Sequence, residues 1–87
     1  MKYRVFWSPN AEAQLEELLA QHHDEEGIAS AAIEIDRNLA DDPFGFSESR
    51  YDTVRIAFVR PLGVQFEVLS DVRTAIVNFV WWSAGPY

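Results

Sequence analysis

The sequence has 87 residues, of which 48% are hydrophobic and 14% aromatic, and a formal net charge of −7. This length suits one domain over residues 1–87, and the apolar content is too high for a disordered tail. Cysteine is absent from the sequence, which excludes disulfides, thiolate metal sites and a thiol nucleophile. Because the apolar runs are too short for a secretion signal or a membrane span, we expect a cytoplasmic domain that does not contact a membrane.

Charge is distributed unevenly along the chain. Residues 1–49 hold eleven carboxylates against three cations, whereas residues 50–87 hold four arginines against three carboxylates. The overall negative charge disfavours non-specific attraction to nucleic acid, because phosphate binding needs a basic surface. The arginines of the second half still allow a local basic patch.

The first predicted elements are a strand and a helix. Apolar and polar side chains alternate over residues 2–7, which predicts a strand with one buried face. Ser8 and Pro9 predict a helix start, because a serine hydroxyl accepts a hydrogen bond from an unpaired amide and proline has no amide hydrogen. An apolar stripe at helical spacing extends this helix to about residue 23.

A second helix is predicted between residues 24 and 42. Its start is acidic, which complements the positive end of the helix dipole, and Pro43 ends it by disfavouring helical geometry in the residue before it. The expected core stripe is Ile28, Ala32, Ile35 and Leu39, widened by Ala29, Ile33 and Ala40. The two helices should form a hairpin.

Two strands are predicted after residue 51. Residues 54–59 and 64–69 alternate with a period of two and flank a turn at residues 61–63, which indicates a β-hairpin. If Val54, Ile56 and Phe58 face the helices, Arg55 faces the other side of the sheet.

The last strand, from about Arg73 to Trp82, has apolar residues at both its odd-numbered and its even-numbered positions, so both of its faces are apolar. This pattern is typical of a central strand or of a strand with a bulge. The order of elements predicts an α+β fold, namely a strand, a helical hairpin and a three-strand antiparallel meander. The helices should cover one face of an antiparallel sheet.

Several segments carry a resemblance to a known family. Residues 5–12 (VFWSPNAE) resemble a first strand that runs into a Ser-Pro-x-Ala-Glu helix start, and residues 36–43 (DRNLADDP) resemble the end of a second helix. Residues 48–50 (ESR) and 55–68 (RIAFVRPLGVQFEV) resemble a basic strand, a turn and a Val-x-Phe/Tyr-x-Val strand. In this order the segments resemble the RelE/ParE superfamily of toxins over nearly the whole chain.

The resemblance implies a small toxin that is silenced by a cognate antitoxin protein encoded beside it. RelE-like members cut mRNA on the ribosome with a cluster of basic residues, whereas ParE-like members poison DNA gyrase. The fold alone does not distinguish ribosome-bound mRNA from DNA gyrase as the target. The leading expectation is a ribosome-dependent mRNA endoribonuclease that uses the RNA 2′-hydroxyl, and inhibition of gyrase is the alternative. A catalytically inactive relative that acts as a protein-interaction module is a third alternative.

The candidate site residues lie in the second half of the chain. RNA cleavage by the 2′-hydroxyl needs a base, an acid and cations beside the phosphate, and it needs no metal. The candidates for these roles are Arg50, Tyr51, Arg55, Arg60 and Arg73. We expect alanine at Arg50 or Arg55 to leave the fold intact.

The cations have two interpretations. With Lys2 and Arg4 of the first strand, Arg55 could form a cationic sheet face that contacts phosphate. Alternatively, the arginines keep the outer face soluble and pair with Glu67 or Asp71.

The general acid and base are harder to assign. The sequence has no histidine after residue 23 and no lysine after residue 2, and arginine does not normally release its proton. This departs from active RelE-like patterns. Besides Tyr51, the remaining candidates are Tyr87 and the carboxylates Glu48, Asp52 and Glu67.

Two pairs of adjacent residues are further candidates for a binding site. His22 and His23 have metal-ligand side chains, but adjacent helical residues point about 100° apart, so we expect a solvated helix end with no metal or cofactor. Trp81 and Trp82 should point to opposite faces of the last strand, one packed in the core and the other available to a partner.

Overall fold

A computed structural model describes residues 2–83 of the chain. Strand β1 (Arg4–Trp7) leads into helix α1 (Pro9–Gln21) through Ser8, whose hydroxyl accepts a hydrogen bond from the amide of Ala11 at 3.1 Å. The predicted helix start at Ser8 and Pro9 is therefore confirmed, with the serine as N-cap.

Helix α2 (Glu25–Asp41) begins after Asp24, whose carboxylate accepts a hydrogen bond from the amide of Gly27 at 3.1 Å. The helix packs on the sheet through Ile28, Ala31, Ile35 and Leu39, all of which are buried. Ile33 is 60% exposed, so the predicted widening of the core stripe to this residue is wrong. Ala29 is exposed as well, whereas Ala31 is fully buried and the expected Ala32 is partly buried against the core.

Four further strands follow the helices, and the sheet has the order β1-β5-β4-β3-β2. They are β2 (Glu48–Tyr51), β3 (Val54–Val59), β4 (Leu62–Leu69) and β5 (Thr74–Trp82). Strands β3, β4 and β5 form the predicted antiparallel meander. The sheet is mixed and not wholly antiparallel, because β1 pairs with β5 in parallel.

Strand β2 is an addition to the predicted order. All four of its residues are exposed, and its ladder with β3 is irregular between Ser49 and Tyr51. An edge strand of this kind carries no alternation of apolar side chains, because neither of its faces is buried. Its backbone hydrogen bonds to β3 need no such pattern.

The core lies between the helices and one face of the sheet, which we call the helix side. Val64, Phe66 and Val68 of β4 point there, together with Ala75 and Val77 of β5. We call the opposite face the open face, since neither α1 nor α2 covers it.

Strand β5 is an interior strand with a bulge, as the apolar residues on both of its faces predict. Its pairing with β4 shifts between Gln65 and Phe66, which leaves Asn78 as the extra residue. Helix α1 binds the edge of β5 near this bulge: the Asn10 amide donates to the Asn78 carbonyl at 3.1 Å, and the Val80 amide donates to Gln14 Oε1 at 2.8 Å.

Within residues 2–83, neither helix combines the length and the hydropathy that spanning a membrane requires.

Candidate functional site

Arg55 lies on the helix side of the sheet, which reverses the predicted orientation of β3. It pairs across the strands with Phe66, whose side chain is fully buried. Val54, Ile56 and Phe58, on the opposite parity, therefore face the open side. Successive side chains of a strand point to opposite faces, so a strand that is oriented the other way moves every side chain to the other face. The expected cationic face is therefore not built around Arg55.

The guanidinium of Arg55 is held by the loop that follows α2. Its Nε donates to Ser47 Oγ at 2.7 Å and its Nη2 donates to the Ser47 carbonyl at 3.0 Å. The guanidinium carbon also lies 5.1 Å from the ring centre of Phe44, in cation–π geometry. These contacts give Arg55 a role in fixing the loop against the sheet.

This placement predicts different effects for two arginines that are neighbours in the sheet. Arg55→Ala should lower the free energy of unfolding by about 1 to 3 kcal/mol, because it removes two charge-assisted hydrogen bonds. Arg50→Ala, the matched exposed control on β2, should change it by less than about 0.5 kcal/mol. Urea unfolding followed by circular dichroism measures both, and equal values would contradict the anchoring role of Arg55.

The other candidate cations are dispersed over the sheet. Arg60 lies in the turn between β3 and β4, and Arg73 precedes β5 at φ 47°, with its guanidinium 5.7 Å from the ring centre of Tyr3. These two positions flank opposite ends of β4, which spans roughly 23 Å at about 3.3 Å per residue. One phosphate cannot contact both side chains.

Lys2 is not part of a cationic sheet face either. Its ammonium donates to Asp41 Oδ1 at 2.6 Å at the end of α2. This hydrogen bond and the ammonium charge lower the pKa of the exposed Asp41 carboxyl. Arg4, in contrast, is exposed and alternates with Val5, which packs against the core.

The open face carries aromatic side chains where basic ones were expected. Phe6, Phe58 and Phe79 are 52%, 54% and 45% exposed. With three half-buried neighbours they form a continuous surface that we call the open-face patch, consisting of Phe6, Ile56, Phe58, Ile76, Phe79 and Trp81. Large exposed apolar surfaces are uncommon on monomeric proteins and often belong to interaction sites.

Gly63 makes room for the largest member of the patch. A Cβ at this position would lie 2.5 Å from Cε2 of Trp81, so the indole lies directly over the glycine backbone. The ring of Trp81 also meets Phe58 edge to face, with centroids 6.1 Å apart. Gly63 lies in β4 and not in the expected turn, and Phe58 is exposed and not in the core, so the sequence pattern did not predict this arrangement.

Arg50 and Tyr51 are the two candidate residues near the patch. Arg50 borders an open groove of about 560 Å³ whose lining includes Ile56, Phe79 and Trp81. Tyr51 pairs with Val54 and is exposed on the open face. The structure thus keeps one arginine and one tyrosine on the open face and places Arg55 on the other side of the sheet.

The two tryptophans point to opposite faces, as predicted. Trp82 packs against the core on the helix side, where its indole stacks on the His22 ring with centroids 3.7 Å apart. His22 therefore belongs to the packing at the end of α1, while His23 is exposed. Residues 2–83 contain no group of three or more side chains with metal-ligand geometry. Tyr87 lies outside the described residues.

The similarity of this chain to known proteins lies in its fold and not in its sequence. No family model matches the sequence, and no curated protein matches it significantly. The structure is similar to a chain of the toxin–antitoxin complex RelBE2 from Mycobacterium tuberculosis, with a TM-score of 0.78 and 15% identity over 94% of this chain and 99% of that one. It is also similar to a chain of the chromosomal ParDE toxin–antitoxin system from P. aeruginosa, with a TM-score of 0.63 and 14% identity over 93% and 96% of the two chains. This chain therefore has the RelE/ParE-like fold.

Proposed function

We propose that this chain is the toxin of a type II toxin–antitoxin pair and that it acts in the cytoplasm by binding a target protein through the open-face patch. The two structural neighbours come from toxin–antitoxin complexes, and each alignment covers nearly all of both chains. The observation that carries the choice of a protein target is the composition of the open face. It presents Phe6, Phe58 and Phe79 to solvent beside the half-buried Trp81, in place of a cluster of cations.

The physical chemistry of the patch favours a protein over RNA. Aromatic side chains are enriched in the buried centre of protein interfaces, and covering them removes apolar surface from water. A chain with a net charge of −7 is repelled by nucleic acid at long range, and its dispersed arginines do not converge on one phosphate. In this proposal the antitoxin silences the toxin by covering the patch, and DNA gyrase is the first target to examine.

The second candidate function is ribosome-dependent cleavage of mRNA. It is favoured by Arg50, which borders the groove beside Trp81 and Phe79, where a base could stack while the guanidinium contacts a phosphate. Tyr51 would then act as the proton donor. Because general acid–base assistance contributes about 10²- to 10⁴-fold, cleavage of free RNA should be far slower than cleavage of ribosome-bound mRNA.

Inducible expression in a bacterial host tests the proposal. We expect growth arrest on induction and recovery when the adjacent open reading frame is co-expressed. Purified protein should then inhibit DNA supercoiling by gyrase while translation in a cell-free extract continues. Unimpeded growth would contradict the toxin role and favour the inactive interaction module.

The two candidate functions leave different products. Cleavage of ribosome-bound mRNA with 2′,3′-cyclic phosphate ends, lost in Arg50→Ala, would overturn the protein-target proposal in favour of the nuclease. Growth arrest with intact mRNA, unaffected by Arg50→Ala, would support it.

A further inference from the structure

The two sides of the protein differ in charge. Helices α1 and α2, which cover the helix side, contain eight carboxylates and one arginine, a net charge of −7. The rest of the sequence holds six cations and six carboxylates, so the two helices account for the whole net charge. On the open face the strands present two arginines, Arg4 and Arg50, and two glutamates, Glu48 and Glu67. The open face is therefore apolar and balanced in charge.

The centre of the open face is a single uncharged polar side chain. Strand β4 is the third of the five strands, and Gln65 lies near its midpoint. Its neighbours on the open face are Ile56 of β3 and Phe79 of β5. Gln65 is partly exposed, so a partner on this face would contact it together with the open-face patch.

We propose that the open face binds the open face of a second copy of this chain and forms a two-fold symmetric dimer of stacked sheets. Sheets that pack face to face lie about 10 Å apart, and their side chains interdigitate between them. The two open-face patches form this layer. In the proposed function the same patch binds the target, so the dimer is a masked form of the toxin. This last consequence rests on the proposed function, whereas the self-association does not.

Charge selects a second copy over other occupants. A strongly acidic or basic partner gains no net attraction from a face with two charges of each sign, whereas two balanced faces meet without an excess of like charge. The acidic helices lie on the outside of the dimer, roughly 30 Å apart, because stacked sheets are about 10 Å apart and a helix is about 10 Å in diameter. This is about three Debye lengths at 0.1 M salt, so their mutual repulsion is largely screened.

The size of the open face sets the strength of the dimer. Five strands of four to nine residues, at about 3.3 Å per residue and about 4.8 Å between strands, form a face of roughly 500 Å² per copy. Two such faces bury about 1,000 Å², which is the lower limit for a specific interface. We therefore expect a reversible dimer with a dissociation constant of about 1 to 100 μM, which a tighter-binding partner displaces.

Sedimentation equilibrium of the full chain tests the inference. The average mass should rise from 10.0 kDa toward twice that value as the concentration increases from about 1 to about 500 μM. The affinity should be unchanged or higher at about 1 M salt than at about 0.1 M, because salt screens the repulsion between the helices and does not screen apolar burial. A monomer at every concentration, or a dimer that dissociates at high salt, would overturn the proposal.

A nearly isosteric substitution at the centre of the face locates the interface. A two-fold axis that lies between the sheets brings the centre of each face close to its own copy, so Gln65→Glu places two carboxylates near each other among apolar side chains. The dimer should weaken at least about tenfold. The matched control is Gln21→Glu at the exposed end of α1, which adds the same charge outside the open face. Its dissociation constant should stay within about twofold of the original value.

Gln65→Leu should have the opposite effect. An apolar side chain at the centre of the face should tighten the dimer by about threefold or more, and tightening is not a result that misfolding produces. Amide shifts that change with concentration should map to β3, β4 and β5.

Two results would contradict the assignment, namely shifts confined to α1 and α2, or equal dissociation constants for Gln65→Glu and Gln21→Glu. Because the readouts are masses and affinities, they are separate from toxicity. A chain that dimerises and is not toxic would refute the proposed function alone, and a toxic chain that stays monomeric would refute this inference alone.

Discussion

Replacing Phe58 and Phe79 with glutamate should abolish toxicity and leave the protein folded. Both side chains are about half exposed on the open face, so their removal takes little apolar surface out of the core. In a complex, the two carboxylates would be buried in the centre of the interface without a partner charge, which is strongly unfavourable. Colony counts after induction measure toxicity, and urea unfolding measures stability.

The matched control for this variant is Ile33→Glu with Val72→Glu. These two side chains are equally apolar and exposed, and the substitutions add the same charge outside the open-face patch. Growth arrest should persist in the control. Persistence of toxicity in the Phe58 and Phe79 variant, at a normal level of folded protein, would remove the patch from the mechanism.

Phe66→Ala should have the largest effect on stability. Its side chain is fully buried between the sheet and the helices and is stacked on Phe46 with ring centroids 6.1 Å apart. Replacing a buried phenylalanine by alanine costs about 3 to 5 kcal/mol. Small domains have a total stability of about 5 to 15 kcal/mol, so the variant should lose a large fraction of its free energy of unfolding. Thermal unfolding by circular dichroism would measure the loss.

Phe58→Ala provides the control on the neighbouring strand. Because Phe58 lies on the open face, its loss should cost less than about 1 kcal/mol. The comparison tests the orientation of β3. If Phe58 faced the helices, as the sequence pattern suggested, Phe58→Ala would destabilise the protein about as much as Phe66→Ala.

The helices and strands that could be predicted from the sequence are determined by residues that are close together in the chain. Ser8 and Asp24 are bound to the first turns of their helices by their own side chains, so a window of a few residues is enough to place both helix starts. The interior position and the bulge of β5 follow from its apolar residues on both parities. In β4 only one of the two alternating sets of side chains is strongly apolar, and this set is the buried one.

The orientation of β3 could not be predicted in the same way, because apolar side chains lie on both faces of this strand. The single charge of Arg55 suggested that its parity faces solvent. In the structure the guanidinium is satisfied by Ser47 and Phe44, which come from a loop that only the tertiary fold brings near. The small Ala57 is buried on that parity, while the larger Phe58 is left on the open face.

The arrangement of the candidate arginines also depends on the tertiary fold. Arg50, Arg60 and Arg73 are close to strand ends in the sequence, but this proximity does not bring their side chains together. Arg60 and Arg73 flank opposite ends of β4, and Arg50 lies on the edge strand β2, two strands away from β4. Of the residues in the open-face patch, only Trp81 was indicated by the sequence, which placed Trp81 and Trp82 on opposite faces of the last strand. Its other aromatic members could be recognised only after the parity of β3 was known.

The parallel pairing of β1 with β5 has a consequence for synthesis of the protein. Arg4 lies beside Thr74, so the first strand of the chain has no neighbour in the sheet until the last strand has been translated. Strand β5 also supplies Ala75, Val77 and Val80 to the core. A nascent chain that ends before residue 74 therefore lacks both the interior strand and the partner of β1. Assembly of the domain therefore waits until β5 has been synthesised, and products that terminate before residue 74 cannot form it.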